Sequence, residues 1–370
     1  MNKKNWIWIL IAIAVIIVGV FIYKNQINKQ EDNVIKIGAI LPLTGDFSFY
    51  GNEVKKGLSI AEQENSNIHF VIEDNLSLTK NSVPALNKIL NNEKVPVFIS
   101  SNSPLSMPLR IIAAENKIVM LALVTGAKDF GMENEWCFRD AINQDQEGIA
   151  QAKYIINNTS YKKVAILCVN DDYGLSGAKS FSDKFKELGG QVSGQQTFEM
   201  KTNDMKNLVL SLLDKNPDFI LTIGREQSLI KSINQIRLYN KNLPIITSDS
   251  FESNNVFKGI GNNAIGIIFT SYQNDLKSLK AQNFINKYKS NYKTDPGIYA
   301  IDAYVAGSYL SEIIRQNKTP DLIRQALTKL DTKSEIKGEL ITDKRRNIVS
   351  PIAVYKINSN LQKEQISIIK

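Results

Sequence analysis

The feature that most constrains this chain is a recurring order: a short apolar run, a turn, then an amphipathic stretch. Its first instance is Val34–Gln63, VIKIGAILPLTGDFSFYGNEVKKGLSIAEQ. Ile35–Leu41 has strand length, and Pro, Thr, Gly and Asp punctuate the turn that follows. A helical pattern then opens. The order returns at Ile68–Glu73 with Thr79–Asn91, at Val95–Ser100 with Leu109–Glu115, and at Ile118–Leu123. Apolar runs separated by helices predict parallel strands covered on both faces. Open sheets of this kind bind ligands beyond the carboxyl ends of their strands, so the loops are the place to look.

Trp136–Gln146 interrupts the rhythm with a polar stretch around Cys137-Phe138-Arg139. The order then restarts. Gly148–Asn157 reads as a helix, Lys163–Val169 as a strand, Asn170–Gly174 as a turn, and Gly177–Leu188 as a helix stopped by Gly189-Gly190. Strands at Gln191–Phe198, Phe219–Ile223 and Pro244–Ser248 alternate with helices at Asn207–Lys215 and Gln227–Tyr239. Two blocks with one order predict two doubly wound lobes. After them come a strand at Ile265–Tyr272 and helices at Leu276–Asn291, Tyr299–Arg315 and Asp321–Leu330. A terminal strand is expected at Ile352–Ile357. Ala300, Ala303, Ala306 and Gly307 suit the second of those helices to close packing.

Ahead of the lobes, Trp6–Tyr23 carries no charge and, as a helix, extends about 27 Å, close to the hydrocarbon thickness of a bilayer. It exceeds the roughly 7–15 apolar residues of a signal peptide and ends without a small-residue cleavage pattern. Residues 1–24 are therefore expected to form an uncleaved anchor in the cell membrane, with Lys3 and Lys4 on the cytoplasmic side. Residues 25–33 form a tether, and the remainder is expected outside the cytoplasm.

Composition removes several classes. The net charge is +8, but the basic residues are scattered, and no basic stripe interleaved with aromatics points to nucleic acid. One histidine and two cysteines, none in a C-x-x-C, argue against a metal centre. Cys137 and Cys168 read as core or strand residues, with a disulfide between them left open. A P-loop, a nucleophile elbow, HExxH and G-x-G-x-x-G after the first strand are all missing, so neither a cofactor nor catalysis is expected.

The segments IKIGAILPLTGDFSFYGNEVKKGLSIA, FVIEDN, VPVFISSNS, CFRDAINQDQEGIAQAKYI, KKVAILCVNDDYGLSGAKSFSDKFKELGG and DFILTIG, in this order, resemble the type I periplasmic binding proteins. Within that group the chain is most similar to the leucine/isoleucine/valine branch of ABC-transporter solute receptors. The resemblance implies an α/β fold of two doubly wound, Rossmann-like lobes with a ligand cleft between them. Three crossovers near Ala141–Gln146, Ile267–Tyr272 and Gly338–Asn347 would form its hinge. Lobe 1 would comprise 34–141 and 270–342, and lobe 2 would comprise 142–269 and 343–370. The implied role is capture of a small polar ligand and its delivery to an ABC permease. The ligand would be a branched-chain or other amino acid, or an amide or carboxylate analogue. The alternative is an anchored ligand-sensing receptor acting on a separate signalling partner.

The same resemblance assigns ligand contacts. Ser103 matches a carboxylate-binding serine. Pro104 after it predicts that Ser103 caps a helix, unless Pro108 delays the helix start to Ser106 or Met107. A role confined to capping stays open. The loop Ala122–Gly126 matches Ser-Pro-x-Ala-Thr, with Gly126 at the threonine position and Thr125 one place early. The backbone of Val124 and Gly126 can still bind, while the hydroxyl is displaced. Tyr173 matches a cleft tyrosine, and Tyr50 matches a position near the ligand side chain. Asp249 matches the acid for the ligand ammonium, one methylene shorter than the usual glutamate. Arg225 stands where an aromatic is common. Its guanidinium either reads an acidic or amide-like group of the ligand or pairs with Glu226 or another acid of the cleft rim.

Overall fold

The computed structural model describes residues 34–128, 130 and 134–369. The expected anchor and tether lie outside the described residues, among which no helix is long and apolar enough to cross a membrane.

The first sheet contains β1 (Ile35–Leu41), β2 (Ile68–Asp74), β3 (Val97–Ser101), β4 (Val119–Leu123) and β5 (Cys137–Asp140). Its order is β2-β1-β3-β4-β5, and all pairings are parallel. Ile37, Ala39, Ile40 and Leu41 are fully buried because helices cover both faces. On one face, helix Ser48–Glu64 lies against helix Ile298–Gln316. A Cβ at Gly57 would stand 2.2 Å from the Ala300 carbonyl oxygen, so this approach requires glycine there.

The second sheet contains β6 (Lys163–Val169), β7 (Gln191–Phe198), β8 (Phe219–Ile223), β9 (Ile245–Thr247) and β10 (Ile268–Tyr272). A small antiparallel sheet follows, made of β11 (Asp331–Ser334), β12 (Gly338–Thr342) and β13 (Ile348–Val349). The chain then returns through β14 (Ile352–Ile357) and β15 (Lys363–Ile369), giving the second sheet the order β15-β14-β10-β9-β8-β6-β7. Its last two strands are antiparallel additions. All of β10 belongs to this sheet, although a division at 270 runs through it. Ile348, at the third crossing, packs in the core of the first lobe.

Two differences from the sequence reading have a physical cause. Cys137–Asp140, read as irregular, is an edge strand whose charged members are buried: Arg139 is 2% exposed and Asp140 1%. Cys137 and Cys168 lie in different sheets, and both thiols are free, so the disulfide left open by the sequence is absent. Burial pushes each thiol up to about 12, which keeps them protonated and unreactive.

A buried ionic cluster lies at the three passes between lobes. Lys337, wholly buried, places Nζ 2.7 Å from Asp140 Oδ1, 3.4 Å from Asp302 Oδ1 and 3.9 Å from the centre of the Tyr272 ring. The Tyr309 hydroxyl donates to Asp140 Oδ2 at 3.1 Å. Arg139 Nε donates to Asn347 Oδ1 at 2.8 Å. Residues from the ends of β5 and β10 and from the turns before β12 and β13 are thereby joined.

Candidate functional site

Between the two main cores lies a smaller cluster that includes Phe47, Tyr50, Ile142, Tyr272 and Tyr299. It draws on both lobes and walls an inner cavity of about 20 Å³. That is room for about one water. Tyr50, Val124, Gly126, Tyr173, Arg225 and Asp249 line it, as do Ile142, Ser250 and Tyr299. The lobes therefore stand closed on each other, and an amino acid enters only when they part. Volume alone does not locate the site, since a hollow of about 360 Å³ between helix Ile298–Gln316 and the small sheet lies away from it.

From the first lobe, Tyr50 projects from the opening turn of helix Ser48–Glu64, and its ring meets Tyr299 edge-on with centroids 5.0 Å apart. Val124, just past β4, has φ 51°, a left-handed conformation rare for a β-branched residue and worth roughly 1–3 kcal/mol of strain. Gly126 follows, and a Cβ there would meet the Tyr173 ring at 3.0 Å. The hydroxyl missing at this position is thus replaced by an aromatic face from the other lobe.

Ser103 and Thr125 do not line the cavity. Both are fully buried. The Ser103 hydroxyl accepts from the Ala127 N–H at 3.2 Å, tying the two loops together. The cap position of its short helix belongs to Asn102, and the helix ends at Ser106, before Pro108 opens a second helix at Leu109. The expected capping role is corrected accordingly. Thr125 Oγ1 donates to the Leu123 carbonyl at 2.9 Å and lies 3.1 Å from Ser106 Oγ. It serves the loop's interior.

From the second lobe, Asp171 caps helix Asp172–Glu187 by accepting from the N–H groups of Tyr173 and Gly174. Its second oxygen takes the Arg225 guanidinium. Arg225 therefore pairs with Asp171 and not with its neighbour Glu226. The guanidinium also lies 4.2 Å from the centre of the Tyr173 ring and 5.8 Å from that of Phe47. Ser228 holds the Arg225 backbone, accepting from its N–H at 3.1 Å and donating to its carbonyl at 2.7 Å.

The Tyr173 hydroxyl donates to Asp249 Oδ1 at 2.9 Å and lies 2.7 Å from Ser248 Oγ. Burial pushes the Asp249 carboxyl up to about 6, and the Tyr173 hydrogen bond opposes that rise. Behind it, Glu147 accepts from the Asp249 N–H at 2.8 Å and from Gln144 Nε2 at 2.6 Å. Burial, with Asp249 alongside, drives the Glu147 carboxyl well above its ordinary range, and the hydrogen bonds it accepts oppose that rise. Sequence reasoning did not single out Glu147 or Tyr299. Glu147 reads only as an early acidic residue of a helix, and its counterpart arrives 102 positions later. Tyr299 reads as one more aromatic in an apolar helix.

A model of the family described as periplasmic binding protein matches residues 34–362. The chain belongs to that family. Within it, this binding protein is of type I and similar to the Leu/Ile/Val-binding proteins. It is 27% identical over 229 residues to Leu/Ile/Val-binding protein homolog 2 of Brucella abortus, covering 60% of this chain and 62% of that one. The match thus spans about three fifths of that relative's length. Homolog 1 of the same organism is 21% identical over 84% of this chain and 86% of its own. Among solved structures, a leucine binding protein, LivK, from Thermotoga maritima superposes with TM-score 0.83 at 22% identity, covering 91% of this chain and 99% of its own. A solute binding protein of Rhodopseudomonas palustris, in complex with 3,4-dihydroxy benzoic acid, gives TM-score 0.82 at 18% identity, covering 91% and 98%. These structures share the fold of this periplasmic binding protein.

Proposed function

We propose that this chain captures a small polar ligand, an amino acid or a close amide or carboxylate analogue, between its lobes and hands it to an ABC permease. The N-terminal segment would hold it at the outer face of the cell membrane. The observation that carries this reading is the convergence of Tyr50, Val124 and Gly126 from one lobe with Tyr173, Arg225 and Asp249 from the other on a single enclosed space. A ligand touching both sets stabilises the closed arrangement over the open one. Asp249 supplies the acceptor for an ammonium group, and the backbone of the Val124–Gly126 loop faces the other end. No step of chemistry is needed, because capture and release by a hinge suffice.

The test is thermal unfolding of the full chain in detergent, against amino acids, amides and small carboxylates. A ligand at 100 times its Kd stabilises by about 2.7 kcal/mol, which a melting curve resolves. If none of these compounds raises the melting temperature, the reading fails.

A further inference from the structure

Resting on the binding reading above, the side chains around Arg225 go further and select a class of ligand. Tyr50 and Arg225 approach from opposite lobes and are 2% and 5% exposed. The Tyr50 hydroxyl and Arg225 Nη2 are both buried with no hydrogen-bond partner among the described residues. Both residues line the inner cavity and also an outer one of about 420 Å³, whose lining includes the ion-paired Asp46 and Lys201. Two unpartnered donors therefore belong to residues that line both spaces. Such groups are costly to leave unpaired.

The rest of Arg225 is committed. Nη1 is held by Asp171, and the guanidinium lies over the Tyr173 ring. Its charge is therefore already balanced. Asp171, Glu226 and Asp249 all stand close enough to act on the Tyr50 hydroxyl. A further carboxylate placed here would face three acids with one shared cation. A carbonyl oxygen meets no such repulsion, and its two lone pairs suit the two donors.

We propose that the ligand carries an uncharged carbonyl, a carboxamide or ureido group, accepted between the Tyr50 hydroxyl and Arg225 Nη2. The ligand class is then an amino acid with a neutral hydrogen-bonding side chain. Neither a purely aliphatic nor an acidic amino acid meets the requirement. A site built to hydrogen-bond such a group rejects an analogue lacking it far more strongly than an apolar pocket rejects a missing methylene.

The experiment is calorimetric titration of the full chain in detergent with L-glutamine, L-asparagine and L-citrulline, and with L-glutamate, L-aspartate and L-leucine. At least one of the first three should bind about tenfold or more tighter than every one of the last three, a difference of about 1.4 kcal/mol. Tyr50→Phe, which removes only the hydroxyl, should erase most of that advantage. Arg225→Met should do the same. Because Arg225 also anchors Asp171, the tyrosine variant decides if the arginine variant fails to fold. The inference is overturned if L-leucine or an acidic amino acid matches or exceeds the carbonyl-bearing set, or if the advantage survives Tyr50→Phe. If none of the six binds the unaltered chain, the amino-acid reading of the cleft falls, and this inference falls with it.

Discussion

Lys337→Met is the sharpest test of what holds the two lobes in register. Lys337 has no exposed side-chain surface and serves Asp140 at 2.7 Å and Asp302 at 3.4 Å. Removing one partner of a buried ion pair costs about 3–5 kcal/mol, because the remaining charge is left buried and uncompensated. Two carboxylates are orphaned here, but the costs do not simply double. Burial already pushes Asp302 up to about 7, against the pull of Lys337, so it is partly protonated at neutral pH. The loss should therefore be about 3–5 kcal/mol at pH 7. It should shrink on acidification. Without the lysine, the folded variant gains protons on its buried acids that the unfolded chain, with carboxylates near their ordinary pKa of about 4, does not hold. Stability then rises as pH falls, at up to about 1.4 kcal/mol per pH unit for each extra proton. Urea unfolding at pH 7 and pH 5 measures both quantities through the midpoint. A variant as stable as the parent at pH 7, or one whose deficit grows at pH 5, would refute the reasoning.

Other expectations follow from the cleft. Asp249 has a folded pKa of about 6, above its ordinary 3.8, so its contribution to stability is present at low pH and is lost as pH rises from about 4 to about 6. Its affinity for an ammonium group runs the other way: titrations should weaken from pH 7 to pH 5, and Asp249→Asn should flatten that dependence. Gly126→Ala places a methyl group 3.0 Å from the Tyr173 ring, so it should hold the lobes apart. An enlarged radius of gyration in solution scattering would report this, and an unchanged one would count against the wedge.

Much of the architecture is legible in the sequence because a doubly covered parallel sheet writes itself as continuous apolar runs. Ile37–Leu41, Val97–Ile99 and Val119–Leu123 are buried throughout in this way. The strand β5 is not legible, because Arg139 and Asp140 are polar residues whose partners Asn347 and Lys337 lie 208 and 197 positions away. The small sheet β11–β13 escapes for the opposite reason: Asp331, Thr332 and Lys333 are exposed and carry no apolar period. At the candidate site, the sequence named loops that the structure gathers round the inner cavity but could not say which way a hydroxyl points. Ser103 and Thr125 turn theirs into the loop framework, while Val124 and Gly126 face the cleft. Arg225 left open a ligand group, Glu226 or another acid of the cleft rim, and the choice fell on such an acid, Asp171, which no local pattern reveals.

That choice couples two things usually kept apart. One oxygen of Asp171 caps the helix Asp172–Glu187, and the other holds Arg225 in the cleft. A shift of Arg225 towards a bound ligand therefore changes the carboxylate on which the first turn of that helix depends. The amide protons of Tyr173 and Gly174 should then exchange with solvent at rates that follow cleft occupancy. The backbone would carry a built-in gauge of the ligand, readable by deuterium uptake without a label on either molecule.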